Sequence, residues 1–127
     1  MAEVVLDASA LLALLNAEPG AEVVADALPG AAISALNLSE VVAKLSEGGR
    51  PERAIRHALQ PLGLDIVPFD EAQAYDAGLL RVATKGTGLS LGDRGCLSLA
   101  QRLSLPALTA DRTWLELSIG ATINVIR

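Results

Sequence analysis

Short apolar runs alternate with amphipathic segments along this chain, and this alternation limits its fold more than any other feature of the sequence. The apolar runs predict five strands: Val4–Leu6, Ala31–Ser34, residues 64–67, Ala107–Thr109 and residues 123–126. Between them, apolar residues recur at i, i+3, i+4 and i+7, a spacing that predicts helices with one buried face. Strands that alternate with helices in this way indicate an α/β fold with a parallel sheet.

The amphipathic segments are bounded by residues that commonly begin or end helices. Helices are predicted over about residues 10–16, 21–28, 38–47, 51–62, 71–84, 92–103 and 112–117. Pro29-Gly30 and Gly48-Gly49 end two of them, and Asp70 is placed to cap another. The chain has 127 residues without repeats or low-complexity tracts, so we expect residues 1–127 to form a single domain.

The composition argues against a membrane protein and against a disulfide-rich one. Hydrophobic residues make up 51% of the chain, yet no apolar run approaches the ~18 residues that a membrane span needs. Glu3 stands where a signal peptide would carry basic residues, and Asp7 interrupts the apolar stretch. The single cysteine, Cys96, excludes an intrachain disulfide and fits a reducing cytosol. We therefore expect a cytoplasmic protein with no membrane partner.

The charge balance argues against a protein that coats nucleic acid. The net charge is -5 and the isoelectric point is about 4.7, whereas such coating relies on lysines and arginines that neutralise phosphates. The only aromatic residues are Phe69, Tyr75 and Trp114, too few for a surface on which bases stack. Any recognition of nucleic acid would therefore rest on shape and on the backbone.

Four carboxylates occupy positions where a parallel sheet would gather them. Asp7 and Asp111 follow the first and fourth predicted strands, and Glu40 and Asp93 lie in or near the first turns of two predicted helices. In open α/β sheets, ligands bind beyond the carboxyl ends of strands, at the point where the strand order reverses. If the first and fourth strands are neighbours there, the carboxylates converge on one crevice.

Such a crevice would require a cation. Several carboxylates a few ångströms apart raise one another's pKa, and a bound divalent ion removes that cost. Ligands that are all oxygen favour a hard ion, Mg²⁺ or Mn²⁺. The single His57 and Cys96 cannot build a zinc site together. His57 is expected to face solvent, and Cys96 reads as a small packing residue.

Each acid also has a simpler interpretation. Asp7 and Asp111 could cap the helices that follow them, and Glu40 could pair with Lys44 one turn later. Asp93 could offset the positive end of its helix. These roles do not exclude metal binding, because a capping aspartate keeps free oxygen lone pairs.

Four segments resemble the motifs of PIN-domain ribonucleases, in family order. They are residues 5–13 around Asp7, residues 34–41 around Glu40, residues 89–100 around Asp93 and residues 108–114 around Asp111. The third is the most specific and is closely similar to that of bacterial VapC-type toxins. Small departures are Gly95, where a helix former is common, and an extra acid, Asp76.

The resemblance implies a three-layer α/β/α sandwich with a central, mostly parallel sheet. It implies an endoribonuclease toxin whose catalytic and metal-binding residues are Asp7, Glu40, Asp93 and Asp111. The bound ion would be Mg²⁺ or Mn²⁺, and hydroxyls of Ser9 and Thr109 would orient carboxylates or waters. The implied partners are an RNA substrate, a VapB-type antitoxin that inhibits cleavage, and a second copy of the chain in a homodimer.

The expected chemistry is attack of water on phosphorus in line with the leaving oxygen, which leaves a 5′-phosphate and a 3′-hydroxyl. Two other functions are open: a catalytically silent PIN-like scaffold and a receiver-like magnesium-binding regulatory module. A receiver would carry adjacent acids after its first strand and a lysine after its fifth. Here Asp7 is single and no lysine follows Lys85. A phosphatase of the haloacid dehalogenase type would carry Asp-x-Asp, whereas this chain has Asp7-Ala8-Ser9.

Overall fold

One parallel sheet of five strands organises the molecule. The computed structural model describes residues 1–127, and the strand order is β3-β2-β1-β4-β5. All four strand pairings are parallel. The strands are β1 (Val4–Leu6), β2 (Ala31–Ser34), β3 (Asp65–Val67), β4 (Ala107–Thr109) and β5 (Ile123–Val125).

Six α-helices connect and cover these strands. They are α1 (Ala8–Leu15), α2 (Ala21–Ala27), α3 (Ala35–Glu47), α4 (Glu52–Leu59), α5 (Glu71–Ala83) and α6 (Leu91–Leu103). Three short 3₁₀ helices cover Leu28–Gly30, Gln60–Leu62 and Arg112–Glu116. None of the helices combines the length and the apolar character needed to cross a membrane.

The sheet separates two hydrophobic cores. Successive residues of a strand point to opposite faces, and accordingly Leu6 belongs to the core that α1 to α4 cover, whereas Val5 belongs to the core under α5 and α6. Leu11 and Val41 fill the first core, and Trp114 is fully buried in the second. The predicted fold class, a three-layer α/β/α sandwich around a parallel sheet, is confirmed.

The helix ends differ from the prediction where a capping residue or a proline decides them. The first helix begins at Ala8, because the Asp7 side chain caps it, and α3 begins at Ala35, because the Ser34 side chain caps it. The predicted segments 21–28 and 51–62 end in 3₁₀ helices that contain prolines. The Asp70 cap of α5 is confirmed by its hydrogen bond from the Gln73 amide.

The strand order places the reversal point between β1 and β4. β1 pairs with β2 on one side and with β4 on the other, where Leu6 lies opposite Leu108. The first and fourth strands are therefore neighbours, as convergence of the acids required. Asp7 follows directly on β1, and Asp111 follows two residues after β4.

Candidate active site

Asp7 is the buried centre of the acidic group. It lies at the carboxyl end of β1 and caps α1, where its Oδ1 accepts a hydrogen bond of 2.8 Å from the Ala10 amide. Only 4% of Asp7 is exposed. The capping interpretation is therefore correct, and it places the carboxylate at the reversal point of the sheet.

Two hydroxyls fix the orientation of the Asp7 carboxylate. Ser9 Oγ accepts from the Ala110 amide at 2.9 Å, and Thr109 Oγ1 accepts from the Asp111 amide at 3.0 Å. Each hydroxyl is thereby left to donate its own proton to Asp7. Ser9 Oγ lies 2.8 Å from Asp7 Oδ1, and Thr109 Oγ1 lies 2.5 Å from Asp7 Oδ2.

Burial raises the pKa of Asp7 from 3.8 to about 6. The hydrogen bonds from Thr109, Ala10 and Ser9 favour the charged form and partly oppose this rise, while the charge of Asp93 adds to it. A carboxylate has about four lone-pair positions, and the three donors leave about one of them unused. Asp7 can therefore accept one further electropositive ligand, which would also stabilise its buried negative charge.

Glu40 is held by a neighbour that the sequence analysis did not identify. Asn37 Nδ2 donates to Glu40 Oε1 and to the Gly92 carbonyl, both at 2.9 Å. The Glu40 carboxylate lies so close to Gly92 that a Cβ on this glycine would collide with it. Glu40 thus reaches from α3 to the start of α6. It forms no ion pair with Lys44, so that alternative is wrong.

Asp93 lies in the first turn of α6 and takes part in its cap. Ser90 Oγ accepts from the Asp93 amide at 3.1 Å, and Asp93 Oδ2 accepts from the Ser90 amide at 3.0 Å. This reciprocal pair is a capping box. The negative charge of Asp93 lies at a helix N-terminus, where the helix dipole stabilises it, as the simpler interpretation stated. Asp93 Oδ1 remains free of protein hydrogen bonds.

The Asp111 side chain makes only local hydrogen bonds. Its Oδ1 accepts from the Thr113 amide at 3.0 Å and from the Thr113 hydroxyl at 2.6 Å. It caps the 3₁₀ helix Arg112–Glu116, so the capping interpretation is correct here too. Its charge is not among those that act on Asp7 or on Cys96. Its link to Asp7 is indirect: the Asp111 amide donates a hydrogen bond to Thr109 Oγ1, which itself donates to Asp7.

The buried thiol of Cys96 lies within electrostatic reach of the other three acids. The side chain is fully buried, and burial raises the pKa of the thiol well above 9.0. The charges of Asp7, Asp93 and Glu40 each raise it further. Asp7 follows β1, Asp93 lies in α6 and Glu40 lies in α3, so three separate elements contribute negative charge near the Cys96 thiol.

The acidic side chains would have to move before they could ligate a metal ion together. No group of three or more Asp, Glu, His or Cys side chains is arranged to hold a metal ion as the side chains stand. The donor set is nonetheless suited to a hard cation, because Asp7, Glu40 and Asp93 offer only oxygen. Each of the three also retains lone pairs that no protein donor uses.

The remaining titratable residues lie elsewhere. His57 is exposed on α4, as predicted. The extra acid Asp76 pairs with Arg102 at 2.6 Å between α5 and α6 and does not join the acidic group. The missed residues, Asn37 and Gly92, both lie inside the recognised motifs, three residues before Glu40 and one before Asp93. That proximity was the signal available in the sequence.

Comparisons with known proteins identify the family to which this chain is similar. The PIN domain family matches residues 4–119. The chain is 33% identical over 114 residues to a VapC ribonuclease of Mycobacterium bovis, and the matched region covers 82% of this chain and 87% of that protein. The same identity and coverage hold for ribonuclease VapC42 of Mycobacterium tuberculosis.

Solved structures show the same fold over the whole chain. The DNA-bound VapBC of Salmonella typhimurium superposes with a TM-score of 0.79, at 21% identity and with full coverage of both chains. A toxin–antitoxin complex from Klebsiella pneumoniae superposes with a TM-score of 0.77, at 22% identity and with 98% coverage of both.

Proposed function

This chain belongs to the PIN domain family, and on that premise we propose that it is an endoribonuclease toxin that hydrolyses RNA and is inhibited by a cognate antitoxin. The observation that carries the proposal is the contact of the Glu40 carboxylate with Gly92, the residue before Asp93, while Asp7 is held by Thr109 at the reversal point of the same sheet. The match to VapC ribonucleases supports it. We take residues 1–127 to be one catalytic domain that acts in the cytoplasm.

We propose that Asp7, Glu40 and Asp93 would hold Mg²⁺ or Mn²⁺, with Asp111 contributing from the edge of the site. Asp111 would have to give up one hydrogen bond from Thr113 or use its second oxygen. When bound, a divalent ion supplies Lewis acidity for the attacking water and for the charge that develops on phosphate.

The chain's own residues supply position and charge. Ser9 and Thr109 hold the Asp7 carboxylate in one orientation, and Asn37 does the same for Glu40. His57, the only histidine, is exposed on α4. We therefore assign no histidine as a base that would activate the ribose 2′-hydroxyl for attack. The proposed reaction is in-line hydrolysis, with 5′-phosphate and 3′-hydroxyl ends.

The direct test is cleavage of RNA by acid variants in the presence and absence of a chelator. Asp7→Asn and Asp93→Asn each remove a charge with little change in volume, and we expect cleavage to fall by at least about 100-fold. Asp26→Asn is the matched control, because Asp26 is exposed on α2. Undiminished cleavage by the site variants, or in excess chelator, would contradict the mechanism. No cleavage by the wild-type protein would favour a silent scaffold or a magnesium-binding regulatory module.

The partner proposed for inhibition is a VapB-type antitoxin with a basic side chain that docks on the acidic group. An arginine there would bring positive charge to the carboxylates through charge-assisted hydrogen bonds. Two apolar helix faces, near Ala13 on α1 and near Ile55 on α4, could either extend this surface or belong to the core. Ala13 is buried in the core, whereas Ile55 lines a groove of about 490 Å³ between α3 and α4 together with Leu38, Val42 and Leu59. This groove is the candidate site for an apolar segment of the antitoxin.

We propose that the chain forms a homodimer and that the exposed face of α5 is its interface. Tyr75, Leu79 and Val82 follow one another at i, i+4 and i+7 and are 66%, 72% and 81% exposed. An apolar stripe of this kind on a helix commonly marks a protein interface. The second copy of the chain is the occupant that we assign to it.

A further inference from the structure

A cleft of about 470 Å³ lies between α1 and the end of α3. Its size is within the roughly 300–1,000 Å³ of typical ligand sites. Ser9 is one of its lining residues, and Ser9 Oγ is 2.8 Å from Asp7 Oδ1. A ligand that fills the cleft as far as Ser9 is therefore one side chain away from the acidic group.

The lining of this cleft is basic, unlike the chain as a whole. Lys44, Arg50 and Arg127 line it, and Glu18 is its only acid. The complete chain has 10 basic and 15 acidic residues, so three of its few cations lie at this one cleft. Such local charge attracts an anion despite the negative net charge.

Two of the three cations are available to a ligand. Arg127 is already paired with Glu18 at 3.2 Å. Lys44 and Arg50 are exposed and form no ion pair. Arg50 makes only a long hydrogen bond of 3.4 Å to the Asn16 side chain. Lys44 lies one helical turn after Glu40, so a free cation follows a proposed catalytic acid along α3.

We propose that this cleft binds the phosphate backbone of RNA on one side of the scissile bond, with Lys44 and Arg50 as the phosphate contacts. The inference rests on the proposed function. A polyanion with regularly spaced phosphates suits two separate, solvent-exposed cations, because such contacts position a strand without reading its sequence. Arg50 also presents the planar guanidinium that can bind phosphate through two hydrogen bonds.

The test measures RNA binding apart from cleavage. The probe is a fluorescein-labelled single-stranded oligoribonucleotide, and the protein carries Asp93→Asn so that the probe is not cut. In this background, Lys44→Ala/Arg50→Ala is compared with Arg53→Ala/Arg81→Ala, which removes the same charge from exposed, unpaired arginines outside the cleft. Fluorescence anisotropy gives Kd over a range of salt concentrations, and melting curves verify that both proteins fold.

We expect the cleft variant to bind about 10- to 30-fold more weakly at 0.1 M salt and its salt slope to fall by about 1.4, since each phosphate contact on a single strand contributes about 0.7. The control should change neither quantity by more than about twofold. With Asp93 restored, the cleft variant should lose kcat/KM mainly through a higher KM. Equal RNA binding by the two double variants would overturn the inference. It would also be overturned if the cleft variant bound the antitoxin more weakly but kept its RNA affinity. If the wild-type protein cleaves RNA while these variants do not differ, only the cleft assignment fails. If it cleaves none, the proposed function fails first.

Discussion

The side-chain amide of Asn37 points at the carboxylate of Glu40, with Nδ2 2.9 Å from Oε1. The second contact of Nδ2 is also to an acceptor, the Gly92 carbonyl, so the amide cannot be flipped without placing oxygen against oxygen. Asn37 is 1% exposed, and its own Oδ1 has no partner. The buried amide is therefore a fixed support for one acid of the site.

The first prediction concerns Asn37. Asn37→Ala should lower the affinity for Mn²⁺ and the rate of RNA cleavage by about 10- to 100-fold, because residues that orient metal-binding side chains have effects of this size. The measurements are calorimetric titration with Mn²⁺ and the cleavage rate. Ser39→Ala is the matched control, since Ser39 lies on the same helix and bonds only to the Leu36 carbonyl. Unchanged Mn²⁺ affinity in Asn37→Ala would show that the amide has only a structural role.

The second prediction separates stability from activity at Gly92. Gly92→Ala favours the helix by up to about 1 kcal/mol, but the new methyl group displaces the Glu40 carboxylate. Cleavage should fall at least about tenfold while the free energy of unfolding stays within about 1 kcal/mol of wild type. Gly78→Ala on α5 meets no atom within 4 Å and should gain stability without losing activity. Normal cleavage by Gly92→Ala would mean that the position of Glu40 is not critical.

The third prediction is a pH dependence of stability that originates in Asp7. Its pKa is raised from 3.8 to about 6, so the folded state binds this proton more tightly than the unfolded state. The contribution of Asp7 to stability is fully present below about pH 3.8 and is lost as the pH rises through about 6. In chelator, the difference in free energy of unfolding between wild type and Asp7→Asn should move against wild type by on the order of 3 kcal/mol between about pH 4 and pH 8.

Urea denaturation at several pH values measures this difference, and comparison with Asp7→Asn cancels the titration of all other groups. Added Mg²⁺ should stabilise the wild type more than the variant by mass action. A difference that does not change with pH would show that the Asp7 carboxyl titrates alike in both states.

The fourth prediction concerns self-association through α5. Leu79→Glu should convert a dimer into a monomer, because a two-fold axis brings each new charge to the same interface. Leu115→Glu is the control, since Leu115 is also exposed, at 53%, but lies on the 3₁₀ helix after β4. Sedimentation at micromolar concentration distinguishes the two states. A monomeric wild-type protein would remove the basis of the dimer proposal.

The sequence predicted the parts of the site that follow from position along strands and helices. β1, β2 and β4 have the predicted bounds, and Asp7 and Asp93 lie at the helix starts where capping residues are favoured. The predicted neighbourhood of β1 and β4 is present, and it brings the Thr109 hydroxyl at the end of β4 to the Asp7 carboxylate.

The direction of side chains could not be read from the same patterns. Asp111 follows its strand as predicted, yet its carboxylate turns to Thr113, because a local capping bond competes for it. The role of Asn37 depends on a carbonyl 55 residues away, a contact that no local pattern encodes. The start of α3 was missed for a related reason, since an apolar stripe reports only the buried face of a helix and not the Ser34 cap.

The hydrogen bond from Thr109 to Asp7 joins residues that are 102 positions apart. During synthesis, Asp7 leaves the ribosome early, whereas the hydroxyl that orients it arrives only with β4. A growing chain therefore lacks the Thr109 hydrogen bond to Asp7 until nearly all of it has been made, and a fragment that stops before Thr109 never forms it. For an enzyme proposed to cut RNA, we expect from this order of assembly that the nascent chain is inactive beside the messenger that encodes it.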